Sequence, residues 1–253
     1  MKMHPPSVRA PATERIERSH TMAPRLPSGA VSSPDDPQYN RRMRFDACGT
    51  LPLEGARDAI VARARRQLAG RDRPLLIAID GRSGTGKSTL ATLVAEALDA
   101  ALIRSDDFYA AHVPDAAWDR CGAAEKVARV IDWRRLRAEA LEPLLRGEPA
   151  VWHPFDFARG RPDGTYPLKR HPDRCEPAAV IVLEGAYACR PELADLIDLA
   201  VLVATPDGER RARLAAREDP DFLRACHARW DDAEAFYFTE VRPPSAFDVV
   251  IDN

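Results

Sequence analysis

The residues with the types and spacing to do chemistry begin at Gly81. The run Gly81-Arg82-Ser83-Gly84-Thr85-Gly86-Lys87-Ser88 has the spacing G-x-x-x-x-G-K-[ST] and continues into Thr89. Glycines let a backbone wrap closely round a phosphate, so that several N–H groups point inward. Lys87 has the reach for β- and γ-phosphates, and the Ser88 hydroxyl is placed to ligate Mg²⁺. The expected phosphate contacts are therefore Gly81, Ser83, Gly84, Thr85, Gly86, Lys87, Ser88 and Thr89. Further along, Asp106 and Asp107 follow one short apolar run, Glu184 ends another, and Arg210, Arg211, Arg213 and Arg217 crowd a single segment.

These residues need elements to position them. Leu75 to Ile79 is short and aliphatic, like a buried strand, and leads straight into the glycine-rich turn. Leu90, Leu93, Val94, Ala97 and Leu98 then have helical spacing, which puts the positive end of a helix against the phosphates. Leu53 to Leu68 reads as an amphipathic helix ahead of the first strand. Ala101 to Arg104 reads as a second strand, running into Ser105-Asp106-Asp107-Phe108-Tyr109. In a doubly wound sheet, ligands bind beyond the carboxyl ends of the strands, so acids just past a strand end are well placed for chemistry. Residues 110–131 read as irregular, Trp133 to Leu145 as a helix, and residues 151–177 as a long loop or small hairpin. Strands follow at Ala179 to Leu183, Leu199 to Val203 and Phe247 to Ile251, with helical stretches at Pro206 to Arg217 and Phe222 to Tyr237. Alternating strands and helices imply an α/β protein. The expected form is a three-layer P-loop NTPase fold with a mainly parallel five-stranded sheet.

Composition narrows the setting. The chain has 253 residues, 45% of them hydrophobic, enough for a real core. A net charge of −2 gives no global reason to expect nucleic acid or an anionic membrane as partner. No apolar run approaches the length that spans a bilayer, and no secretory signal is visible. Cys48, Cys121, Cys175, Cys189 and Cys226 are scattered without a C-x-x-C, which fits reduced thiols in a cytoplasm better than a disulfide framework or zinc site. Residues 1–45 hold seven prolines and eight basic against four acidic residues, and read as a disordered tail.

P-loops serve several classes of protein. The guanine-reading N-K-x-D of GTPases does not occur here, and the apolar run Val180-Ile181-Val182-Leu183 ends in Glu184 rather than the Asp usual in motor ATPases. Taken in order, G-R-S-G-T-G-K-S-T at 81–89, S-D-D-F-Y at 105–109, F-D-F at 155–157, V-L-E-G at 182–185, the arginines of 210–217 and V-V-I-D at 249–252 resemble the uridine kinase and phosphoribulokinase group of P-loop kinases. The resemblance implies a kinase domain over 46–253, with an acceptor-site insertion at about 110–177 and a lid at about 207–230. It implies ATP and Mg²⁺, with Asp106 as general base on the acceptor hydroxyl and as a metal-side carboxylate, beside Ser88 and Glu184. It implies Lys87, Arg213 and Arg217 as catalytic cations and Arg210 on the nucleotide. Read from spacing alone, Arg210, Arg213 and Arg217 share one helical face, and a solvated face paired with Glu209 and Glu218 is the plain alternative.

On the acceptor side, Asp132 stands where this group holds ribose hydroxyls, and equally where an acid caps the helix starting at Trp133. Phe155 takes the place of a base-reading tyrosine and Gly160 that of a histidine. Phe155 or Phe157 can stack on a ring, but base-edge hydrogen bonds are missing. Arg159 and Arg161 suit a polar or anionic acceptor, or are solvated loop residues; His153 reads as structural. The expected activity is transfer of the γ-phosphoryl of MgATP to a hydroxyl of a small molecule, most simply a nucleoside. The alternatives are a vitamin, sugar phosphate or antibiotic as acceptor, or a non-catalytic nucleotide-binding regulator. The oligomeric state, homo-oligomer included, is left open.

Overall fold

The computed structural model describes residues 52–253. The expected tail over 1–45, like Cys48, lies outside the described residues. The chain opens with α1 (Pro52–Leu68), whose Ala56, Ile60 and Ala64 are buried while arginines line its outer side. The strands in chain order are β1 (Leu75–Asp80), β2 (Ala101–Arg104), β3 (Ala150–Trp152), β4 (Asp173–Cys175), β5 (Val180–Glu184), β6 (Leu199–Ala204) and β7 (Val249–Asp252). Among the described residues five of them form one sheet, in the order β2-β5-β1-β6-β7, and every neighbouring pair is parallel. The central strand is β1: Ile77 faces Val182 on one side and Leu199 on the other.

The near-continuous aliphatic runs follow from this placement, because a parallel sheet is covered on both faces. Alternation along β1 sorts its side chains between two cores. Leu75, Ile77 and Ile79 pack with Ile60 of α1 and with Leu90 and Val94 of α2 (Lys87–Leu98). Leu76 and Ala78 pack on the opposite face with Phe108, Leu136 and Tyr237. Helices, sheet and helices make the three layers expected from the sequence.

The middle of the chain differs in detail. Residues 110–131 are not irregular throughout, for they hold α3 (Asp115–Trp118) and α4 (Ala123–Arg129), which bury Trp118 and Val127. Each is too short to show a helical period, and Pro114 and Gly122 punctuate them. The helical run from Trp133 to Leu145 is present in three pieces: α5 (Trp133–Arg135), a π turn (Leu136–Leu141) and α6 (Glu142–Leu145). The wide turn ends two residues before Pro143, a residue with no N–H for a regular helical ladder. Within 151–177 the hairpin alternative is realised, with β3 antiparallel to β4. After β6 come α7 (Asp207–Arg217) and α8 (Pro220–Phe236), closed by a second π turn, Tyr237–Val241. No helix among the described residues is long and apolar enough to cross a membrane.

Candidate active site

The glycine-rich loop joins β1 to α2 at the carboxyl end of the sheet. Gly84 has φ +86°, and a Cβ there would lie 2.8 Å from the Arg210 carbonyl and 2.9 Å from Leu214 Cγ. Only glycine lets the loop lie this close to α7. The loop is braced from two sides. Its Thr85 carbonyl accepts from Asn253 Nδ2 at 2.7 Å and from Thr205 Oγ1 at 3.2 Å. At its start, the buried Asp80 carboxylate accepts from the N–H groups of Gly81 (2.8 Å), Tyr187 (3.0 Å) and Cys189 (2.8 Å) and from the Tyr237 hydroxyl (2.9 Å). Asp80 thus ties the loop to the exit of β5 and to the end of α8. Burial pushes its pKa up to about 6, with Cys189, Tyr237, Gly81 and Lys87 pulling the other way.

The expected metal side comes together. Ser88 Oγ donates to Glu184 Oε2 at 3.1 Å, and Glu184, the last residue of β5, is only 5% exposed. Arg104 Nε stands 3.8 Å from its other oxygen. Burial raises the Glu184 pKa; Lys87 opposes this, the charge of Asp106 adds to it, and Ser88 and Arg104 oppose it. Asp106 lies on a 3-10 turn, Ser105–Phe108, directly after β2. A Cβ at Gly185 would overlap Ser105 Oγ, so glycine there lets the exit of β5 press against this turn. Solvent reaches Asp106, yet protein surrounds it closely enough to raise its pKa; Lys87 opposes this shift and Glu234 reinforces it. Asp107 faces away, with its carboxylate accepting from Trp152 Nε1 at 3.1 Å and its carbonyl from the Phe155 N–H at 2.8 Å.

Among the described residues no cluster of three or more His, Cys, Asp and Glu side chains is poised to cage a metal. The donor set fits Mg²⁺ all the same. That ion is usually held by one or two carboxylates together with substrate phosphates and water, and Ser88, Glu184 and Asp106 supply the protein's share. The loop itself is a cradle of backbone donors for the phosphates.

The arginine segment is less uniform than its spacing suggests. Arg210 is fully buried: it donates to Asp231 Oδ1 at 2.8 Å, to the Ser83 carbonyl at 3.3 Å and to Asp207 at 3.3 Å. It therefore binds α7, α8 and the loop together. Arg213 pairs with Glu209 at 3.4 Å and Arg217 with Glu218 at 2.6 Å, both on the solvent side. Arg82 of the loop reaches Asp207 and Asp231 in the same network.

On the acceptor side, Asp132 Oδ1 accepts from the Arg135 N–H at 3.2 Å, so it caps α5, while its own N–H donates to the Phe108 carbonyl at 2.7 Å. Its segment runs antiparallel to the residues after Asp106, through a bridge between Tyr109 and Ile131. Phe155 is buried and Phe157 is 59% exposed, their ring centroids 4.5 Å apart. Tyr109 packs against both, at 5.6 and 5.4 Å, and against Trp230 of α8 at 6.1 Å. Tyr166 lies over Phe155 at 5.1 Å and covers Gly160, where a Cβ would come within 3.2 Å of its ring. Arg159 is exposed and stands 3.9 Å from Asp156. The His153 ring donates from Nδ1 to the Lys169 carbonyl at 2.9 Å, a structural bond.

Several residues here were not singled out by sequence. Asp80 carried a signal, since an acid ended an otherwise aliphatic strand. Glu234, Trp230, Tyr166, Tyr187 and Asn253 carried none, because their places depend on how α8, the hairpin and β7 return to the loop.

Comparison with known proteins speaks to the family and the fold. A family model described as AAA domain matches residues 76–239. A uridine kinase of Streptococcus uberis is 29% identical over 155 residues, covering 58% of this chain and 69% of its own length. Among solved structures, a possible uridine kinase from Bacillus stearothermophilus superposes with a TM-score of 0.54 at 21% identity, covering 78% of this chain and 100% of its own. A D-glycerate 3-kinase from Cryptococcus neoformans var. grubii gives 0.57 at 12% identity, covering 81% and 96%. The two structural likenesses speak to the fold alone.

Proposed function

This chain belongs to the AAA-domain family and is a uridine kinase-like P-loop kinase, and from that premise we propose that it transfers the γ-phosphoryl of MgATP to a hydroxyl of a nucleoside or nucleoside-like molecule. Lys87 and the amides of Ser83 to Thr89 hold the phosphates, the Gly81 N–H expected among them being held by Asp80 instead, and Ser88 and Glu184 would hold Mg²⁺, which neutralises charge on the phosphoryl oxygens. Asp106 accepts the proton of the acceptor hydroxyl as its oxygen bonds to the γ-phosphorus and ADP leaves. Its raised pKa suits a base better than that of an ordinary surface aspartate. Arg210 keeps the lid on the loop, and Arg213 and Arg217, paired on the solvent side with Glu209 and Glu218, are the cations that would turn towards the nucleotide when the lid closes.

The observation that carries this reading is the convergence of Lys87, Asp106 and Glu184, in which the Lys87 charge acts on both carboxyls and that of Asp106 on Glu184, next to an aromatic group built from Tyr109, Phe155, Phe157 and Trp230. Flat faces of this kind suit a base, and Asp132, besides capping α5, would take a sugar hydroxyl. Tyr166 gives the group a polar tip, since its hydroxyl is 3.6 Å from where a Cβ at Gly160 would be. The enzyme would act in the cytoplasm on a small-molecule acceptor. One observation favours a second reading with a vitamin, sugar phosphate or antibiotic as acceptor: Phe155 has no hydroxyl and Gly160 no side chain with which to read a base edge. Purified protein with MgATP and a panel of these acceptors, followed by ADP release, decides between them. Nucleoside-dependent ADP release is expected. Tight ATP binding with no acceptor turned over would instead indicate a regulator.

A further inference from the structure

We infer that Glu234 is a built-in anion that occupies the outer end of the P-loop and is displaced by the terminal phosphate of ATP but not by ADP. The inference rests on the reading above that this loop holds the nucleotide. Glu234 lies on α8 and is 4% exposed. Its Oε1 accepts from Ser83 Oγ at 2.5 Å, and its Oε2 accepts from the Ser83 N–H at 3.1 Å. A carboxylate on a P-loop amide is the electrostatic counterpart of a phosphate oxygen. Both of the Ser83 donors are therefore already used by the protein's own carboxylate.

The position of Glu234 says which phosphate it competes with. Its charge acts on Asp106 and on the Tyr187 hydroxyl, raising the pKa of each. The Lys87 charge acts on Asp106 as well, and Asp106, as base, must face the phosphoryl being transferred. Ser88 and Glu184, by contrast, meet at the start of α2. Glu234 therefore stands at the acceptor-facing end of the loop, where the γ-phosphate passes. A γ-phosphate and the Glu234 carboxylate cannot share the Ser83 donors, and both are anionic. A nucleotide ending at the β-phosphate leaves them to Glu234.

Displacement has a mechanical consequence. Glu234 sits one turn from Asp231, which Arg82 of the loop and Arg210 and Arg211 of α7 all hold. Arg82 also stands 3.7 Å from Glu234 itself. Releasing Glu234 frees α8 from the loop on one side while the Asp231 pairs keep it tethered.

The test is the ratio of the dissociation constants for MgADP and MgATP, measured by calorimetry without acceptor. Glu234→Gln keeps the shape but removes the charge, and should tighten MgATP while leaving MgADP within about twofold, so that the ratio rises roughly tenfold. Ser83→Ala removes the shortest bond to Glu234 and keeps the backbone donor; it should move the ratio the same way by a smaller factor, and it provides the readout if the first variant does not fold. An unchanged ratio in the folded variants, or equal tightening of both nucleotides, overturns the inference and leaves the kinase reading standing. A wild-type chain that binds neither nucleotide overturns both.

Discussion

Ser88 Oγ donates to Glu184 Oε2 across 3.1 Å, joining the first turn of the helix after the P-loop to the last residue of the neighbouring strand. The bond brings a hydroxyl and a buried carboxylate to one point, the two ligand types that hold Mg²⁺ beside phosphates. Glu184→Gln keeps an oxygen for Ser88 and removes the charge. The Mg²⁺ concentration for half-maximal activity should rise, with affinity or rate falling about 10- to 100-fold. Melting temperature should not drop, because an ionised group leaves a buried place that disfavours its charge. A Mg²⁺ titration of activity together with thermal melts checks this; an unaltered Mg²⁺ requirement would refute the assignment.

Asp106 should behave as a base. Asp106→Asn is expected to lower kcat by about 10² to 10⁴ with little change in MgATP affinity. The wild-type rate should climb with pH as Asp106 loses its proton. Because the folded protein raises that pKa, the climb should lie above the ordinary aspartate value of about 3.9. In the variant that limb should vanish from the pH–rate profile.

The contrast between Asp106 and Glu234 shows what a sequence can carry. Asp106 follows an aliphatic run in a chain with a P-loop, so local pattern and the geometry of parallel sheets place it at the site. The strands were legible for the same reason: Leu75 to Ile79, Val180 to Leu183 and Leu199 to Val203 are buried on both faces and so are apolar throughout. Glu234 is one acid among several in a helix of mixed character. Its burial against Ser83 depends on the angle at which α8 crosses back over the loop, which no local pattern encodes. Arg210 makes the same point. It shares a helical face with Arg213 and Arg217, yet it alone is buried, because Asp231 and the Ser83 carbonyl come from distant parts of the chain. Helices α3 and α4 were missed because each has too few turns to show a period.

Asp80 should make stability depend on pH. Its folded pKa of about 6 exceeds the reference 3.8, so the folded state holds this proton more tightly than the unfolded chain. The resulting stabilisation is fully present below 3.8 and is lost as pH rises through 6. The two values differ by an amount worth about 3 kcal/mol at most. Asp80→Asn should be less stable at every pH, because its amide nitrogen would face donors where the carboxylate accepts from three N–H groups and the Tyr237 hydroxyl. It should also lose this part of the slope. Urea midpoints at pH values below and above 6 in both proteins measure it: the wild-type fall should exceed that of the variant, and equal slopes would contradict the role given to Asp80.

The aromatic group beside Asp106 should govern the acceptor and not the donor. Phe157 is 59% exposed and packs edge-on against Tyr109 and Phe155, so it contributes little to the core. Phe157→Ala should leave the melting temperature nearly unchanged. Stacking of a base on an aromatic ring is worth about 1–3 kcal/mol, so KM for a nucleoside acceptor should rise about tenfold or more while KM for ATP stays constant. Tyr166→Phe deletes a single hydroxyl. A neutral hydrogen bond is worth about 1 kcal/mol, so the acceptor KM should rise several-fold if that hydroxyl reads a base edge. Steady-state kinetics with each substrate varied in turn separate the outcomes. If both variants raise KM for ATP instead, the ring face belongs to the nucleotide side and the acceptor must enter elsewhere. If Phe157→Ala alone acts, the ring stacks without a polar reader, and the hydroxyl acceptor is chosen by shape.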